Sequence, residues 1–165
     1  MRLERLLLGT RESIAGNVYG TIVVLATLTA GATAYEHELW ELAAIAATTV
    51  LILWIAHVYA HGLGESLHRG RRLTMDEVAA IAGREVEIPV AAVLPISAVI
   101  LGALGVFRDA TALWIAVGIG VAILTIQGVR YARLERLSRI GAIIAISVNV
   151  ALGLSIVALK VIVTH

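Results

Sequence analysis

Two histidines and a glutamate recur at four-residue intervals in the stretch HVYAHGLGES, residues 57–66. His57, His61 and Glu65 would lie on one slowly drifting stripe of a helix, because residues four apart share a face. Imidazole and carboxylate groups are suitable ligands for divalent transition metals. The spacing therefore favours a metal site, and the alternative is three ordinary polar side chains at the edge of a membrane.

The segment that must position these residues is strongly apolar. The stretch directly follows LAAIAATTVLILWIA, which contains no charged residue. The whole chain is 59% hydrophobic and 15% charged, with a mean hydropathy of +0.92, whereas charged residues make up about 25% of ordinary soluble domains. Cysteine is absent, which excludes disulfides and thiolate metal sites. The composition predicts an integral membrane protein surrounded by a lipid bilayer.

Five apolar stretches are long enough to cross that bilayer, since a spanning helix needs about 20 residues. They are residues 14–34, 39–61, 88–107, 110–131 and 140–163. The predicted fold class is therefore an all-α integral membrane protein with five transmembrane helices.

The same stretches divide the chain into four parts. These are a cytoplasmic N-terminal amphipathic segment (1–13), the first two transmembrane helices (14–61), a short cytoplasmic segment (62–87) and the last three transmembrane helices (88–163). Within the cytoplasmic segment, Thr74 and Glu77 have the spacing of a capping box. This predicts one short amphipathic helix that begins after Thr74.

The distribution of positive charge predicts the orientation. If the spans alternate in direction, only Arg108 and Lys160 of the 13 lysines and arginines fall on one side of the membrane. Lysine and arginine accumulate in cytoplasmic connections. The N-terminus is therefore expected in the cytoplasm and the C-terminus outside, with the protein in a prokaryotic plasma membrane.

Small residues in the first span indicate a close helix contact. Gly16 and Gly20 form a GxxxG step, which lets membrane helices approach closely. The pair predicts a two-fold homodimer with this face near its axis, and the alternative is packing within one subunit.

The first span also carries two polar residues at membrane depth, Asn17 and Tyr19. Such residues are functional candidates, and both are expected to lie opposite the His57–Glu65 stripe and to complete a metal site. No nucleophile motif, phosphate-binding loop or nucleic-acid motif is apparent, so we expect neither an enzyme nor a nucleic-acid partner, and no cofactor. Topology and anionic lipid account for the basic connections.

Two short motifs carry a resemblance to a known family. Residues 11–20 read RESIAGNVYG and residues 61–64 read HGLG. They resemble the vacuolar iron transporter (VIT) family, whose first span opens with arginine, an acidic residue and two spaced glycines, the second preceded by aspartate. That family's second span ends in Met-Gly-Leu-Gly. The matching positions are Arg11, Glu12, Gly16, Gly20 and the Gly-Leu-Gly that follows His61.

The resemblance implies a VIT-like bundle of five helices that forms a homodimer and exports Fe²⁺ or Mn²⁺ from the cytosol in exchange for protons. The family's metal site uses a first-span aspartate, a glutamate and methionines. Tyr19 occupies the aspartate position, His61 the motif methionine, and Leu53 lies near the second-span glutamate. The chain therefore departs from the family at its metal ligands.

Two classes of function remain open from the sequence. The chain is either a proton-coupled transporter of divalent transition-metal ions with an altered site, or a non-transporting membrane subunit or scaffold with the same fold. A bis-histidine haem carrier is a third possibility, which would need histidines paired across a dimer because no other span contains one.

Overall fold

A computed structural model of the chain describes residues 11–35 and 38–163. Within these ranges the structure is helical, without strands. The helices are α1 (Arg11–Gly31), α2 (Leu39–Arg69), α3 (Met75–Arg84), α4 (Glu87–Ala103), α5 (Asp109–Leu134) and α6 (Arg139–Val163). Most of the predicted N-terminal amphipathic segment, residues 1–10, lies outside the described residues.

Four helices of the described chain, α1, α2, α5 and α6, are long and apolar enough to cross a membrane. The fourth helix, α4, has 17 residues and is about 26 Å long, short of the roughly 30 Å of a bilayer core. It meets α3 at a bend of 46°, and the two together count as a fifth candidate span. The all-helical architecture is thus confirmed, with four or five apolar helices that are compatible with membrane insertion.

Helix α2 is longer than the apolar stretch that predicted it. It runs for 31 residues to Arg69, two turns beyond His61, and no proline interrupts it. It ends where Gly70 adopts a left-handed conformation, with φ of 64°, which glycine does without the penalty of a Cβ atom. Glu65 therefore lies in the same continuous helix as His57 and His61.

The predicted capping box is confirmed at the start of α3. The Thr74 hydroxyl accepts a hydrogen bond from the Glu77 backbone N–H, and the Glu77 carboxylate accepts one from the Thr74 N–H. These bonds satisfy backbone donors that the first turn of a helix leaves unpaired. After its last residue, Arg84, the chain turns at Glu85 and Val86 into α4.

The core lies where α4 packs against α1, α2 and α5, with α1 also contacting α2, α5 and α6. Its fully buried side chains include Leu28, Leu42, Ile88 and Val99. The backbone of α4 approaches α1 so closely that a Cβ atom at Gly20 would collide with the carbonyl oxygen of Ile88. The Gly16–Gly20 face thus packs within the subunit, which was the alternative to its expected position at a dimer axis.

Candidate metal-binding cavity

A cavity of about 410 Å³ opens between the start of α1, the second half of α2 and the α3–α4 junction. It lies at the arginine-rich end of the bundle. Its lining residues are Ala15, Gly16, Tyr19, His57, His61, Glu65, Ile81, Arg84, Glu85 and Ile88. Tyr19, His57, His61 and Glu65 were all predicted as site residues, and the structure brings these four together.

His61 has a partner that its spacing did not predict. Its Nδ1 atom lies 3.0 Å from Oε1 of Glu85, at the end of α3. The His61 side chain is 60% exposed and that of Glu85 is 20% exposed, so the pair stands at the mouth of the cavity. Because the carboxylate accepts from Nδ1–H, the neutral ring keeps its lone pair on Nε2, the nitrogen that can bind a metal.

His57 lies deeper, between His61 and Tyr19. Its ring centre is 6.1 Å from that of His61 and 4.9 Å from that of Tyr19, with the Tyr19 and His57 rings tilted by 46°. Its Nδ1 atom lies 3.2 Å from the carbonyl oxygen of Leu53. A carbonyl can only accept, so this contact favours the tautomer with hydrogen on Nδ1 and a free lone pair on Nε2.

The other two predicted residues are engaged elsewhere. Glu65 lines the cavity, but its Oε1 atom accepts a 2.6 Å hydrogen bond from Arg69, one turn along α2. Asn17 does not line the cavity. It is buried, and its amide donates a 3.1 Å hydrogen bond to Oε2 of Glu87 at the start of α4. Asn17 thus joins α1 to α4 and stands outside the candidate site.

The segment beside the cavity is held by a charged cluster around Glu77. The Glu77 carboxylate accepts 2.6 Å hydrogen bonds from both Arg69 and Arg71. The hydrogen bond from Arg71, and next the one from the Thr74 backbone, lower the Glu77 pKa from 4.5 to about 2. This cluster ties the end of α2 to the start of α3 and so helps to place Glu85 opposite His61.

The chemistry available at the mouth is that of a histidine ligand supported by a carboxylate. With Nδ1–H donated to Glu85, 3.0 Å away, Nε2 of His61 is the atom that can bind an ion, and the carboxylate orients the ring. Throughout residues 11–35 and 38–163, no three His, Asp or Glu side chains are close enough to hold a metal ion unaided. An ion bound here would need water molecules, or a movement of His57, to complete its coordination shell. The positive charge of Arg84, which also lines the cavity, would repel the ion.

Glu85 is the residue that spacing arguments missed. It belongs to the short set of carboxylates between the second and third spans, but its distance to His61 depends on α3 folding back along α2. No protein-family model, no curated protein and no solved structure matches the chain.

Proposed function

We propose that this chain is an integral membrane transporter of divalent transition-metal ions, VIT-like in architecture, that admits its ion through the His61–Glu85 cavity. In this proposal α1, α2, α4, α5 and α6 are the five spans, α3 lies at the cytoplasmic end of α4, and the cavity faces the cytoplasm. The observation that carries it is the pairing of an imidazole and a carboxylate from different elements, 3.0 Å apart, at the mouth of a 410 Å³ cavity.

Proton coupling follows from the chemistry of the same groups. An imidazole binds a metal only when it is neutral, so protonation of His61 or His57 releases the ion. A two-fold homodimer is part of the proposal, through a face other than Gly16–Gly20, which α4 already covers.

A non-transporting membrane subunit or scaffold is the second candidate. It is favoured by the lack of a complete three-ligand cluster among the described side chains. In that case the His61–Glu85 pair would serve to hold the α3–α4 junction against α2, and surface pairs of this kind contribute little more than about 1 kcal/mol.

Uptake into proteoliposomes separates the two candidates. Vesicles containing the purified protein and a fluorescent metal chelator are exposed to Mn²⁺ or Fe²⁺, with an imposed pH difference. The transporter proposal expects ion entry that depends on the pH difference and is lost in Glu85→Gln. Glu41→Gln, at the opposite end of α2, is the matched control and should transport normally. Entry no faster than in protein-free vesicles would favour the scaffold.

A further inference from the structure

A second concave surface lies on a different face of α2 from the cavity. It is a groove of about 530 Å³ between the second half of α2 and the segment that leads into α3. Its walls include Ile55, Val58, Leu63 and Val78, and its other end carries Ser66 and Arg72. The groove is therefore apolar along most of its length and basic at one end.

The order of these residues along the chain gives the groove a direction. From Ile55 to Ser66, α2 rises about 16 Å at 1.5 Å per residue, which is close to the half-thickness of a bilayer core of about 30 Å. Arg72 follows beyond the turn at Gly70. The apolar walls thus cover about one leaflet in length, and the basic end stands at the headgroup level.

Arg72 differs from the two arginines before it. Arg69 and Arg71 are both bound to Glu77, whereas the exposed guanidinium of Arg72 has no carboxylate partner in the described part of the chain. A guanidinium pairs well with phosphate oxygens, which it can bind in a bidentate manner. The polar end of the groove therefore has a free positive charge suited to one phosphate group.

Trp54 fixes the inner end of the groove. Its indole N–H donates a 3.2 Å hydrogen bond to the carbonyl oxygen of Ala82 in α3, and its ring lines the groove. The side chain thus holds α3 against α2, and it places a fluorophore where an acyl chain would lie.

We propose that this groove binds one anionic phospholipid, with an acyl chain along Ile55, Val58 and Leu63 and the phosphate on Arg72. The proposal depends on the membrane placement suggested above, and it does not depend on whether the cavity takes a cation. The apolar walls of the groove account for binding of the acyl chain, and the charge of Arg72 accounts for the preference for an anionic headgroup.

Tryptophan quenching by brominated lipids tests the site directly. In a protein with Trp40→Phe and Trp114→Phe, Trp54 is the only tryptophan, and its emission is excited selectively over that of the four tyrosines. This protein is reconstituted into vesicles of ordinary phosphatidylcholine that contain increasing fractions of one brominated lipid. The brominated lipid is either phosphatidylglycerol or phosphatidylcholine, and both carry bromine on the acyl chains. One arginine near an anionic surface contributes about fivefold in affinity. We therefore expect half-maximal quenching at about a fivefold lower fraction of the anionic lipid.

Three variants and one reporter complete the design. The preference should disappear in Arg72→Gln and in Val58→Phe, which fills the groove, and persist in Arg139→Gln, an exposed arginine on α6. A second protein that keeps only Trp114, which is 65% exposed on α5, reports whether the chain is in the bilayer at all.

Each alternative has its own result, and each overturns the proposal. Equal quenching by both lipids would mean that the groove takes any lipid. If Trp54 is shielded from both lipids while Trp114 is quenched, another copy of the chain covers the groove. If Arg72→Gln and Arg139→Gln reduce the preference for the anionic lipid equally, the preference comes from the overall surface charge and not from a site at Arg72. An unquenched Trp114 would contradict the membrane placement, which separates that failure from failure of the lipid site.

Discussion

The Nδ1 atom of His61 lies 3.0 Å from Oε1 of Glu85, and this contact joins the second half of α2 to the junction of α3 and α4. It closes one side of a cavity that also contains His57 and Tyr19. The contact forms because α2 continues beyond His61 to Arg69, the chain turns at Gly70, and α3 then packs back against α2. Glu85 therefore takes the place beside His61 that the four-residue spacing had suggested for Glu65.

The two carboxylates should contribute unequally to metal binding. Glu85→Gln should weaken divalent-ion binding about 10- to 100-fold, the usual effect of removing a carboxylate that supports a histidine ligand. Glu65→Gln should change the affinity much less, because Arg69 already neutralises that carboxylate. Calorimetric titration of Mn²⁺ into both variants measures the difference. A larger loss in Glu65→Gln would mean that the ion sits further along α2.

The sequence was sufficient to predict helices and the residues that share one face of a helix. The spacing of His57, His61 and Glu65 correctly predicted that they meet at one surface, because helical periodicity is a local property. The position of Glu85 could not be predicted in this way, since it depends on how α3 docks. Asn17 was misplaced for a related reason. Its amide is bonded to Glu87 of α4, a tertiary contact that the pattern of the first span does not encode.

The close approach of α1 and α4 predicts a sharp difference between two glycines. At Gly20 a methyl group would meet the backbone of Ile88, so Gly20→Ala should destabilise the fold by about 1–3 kcal/mol, as overpacking does. Gly118 lies within α5 and has open space around it. Gly118→Ala should be neutral or stabilise by about 0.5–1 kcal/mol through helix propensity. Thermal unfolding in detergent compares them, and equal Tm values would place the α1–α4 contact in doubt.

The Glu77 cluster predicts a pH dependence of stability. A carboxyl group whose pKa is lowered on folding stabilises the protein above its unfolded pKa, and that contribution is lost as the pH falls through the folded value. With the pKa of Glu77 lowered from 4.5 to about 2, the Tm difference between the wild type and Glu77→Gln should be constant above about pH 4.5 and shrink towards pH 2. Circular dichroism melts measure it, with Asp76→Asn as the neighbouring control. A difference that grows in acid would contradict the cluster's role.

The proposed membrane placement predicts the sidedness of two connections. Arg71 lies in the turn between α2 and α3, and Gly105 lies in the turn between α4 and α5. An impermeant maleimide added to intact cells should label a single cysteine at residue 105 and leave a single cysteine at residue 71 unlabelled until the cells are opened. The chain has no native cysteine to interfere. Labelling of both from the same side would contradict the five-span arrangement.

Calorimetric titration of the purified intact protein with Mn²⁺, Fe²⁺, Zn²⁺ and Co²⁺ tests the central proposal most directly. We expect saturable binding of at least one of these ions, abolished in His61→Ala and weakened in His57→Ala, because both rings line the cavity but only His61 is paired with Glu85. The affinity should fall in acid, because a proton and a metal ion compete for the same imidazole lone pair. If none of the four ions binds to the intact protein at neutral pH, the cavity is not a metal site and the transporter proposal is wrong.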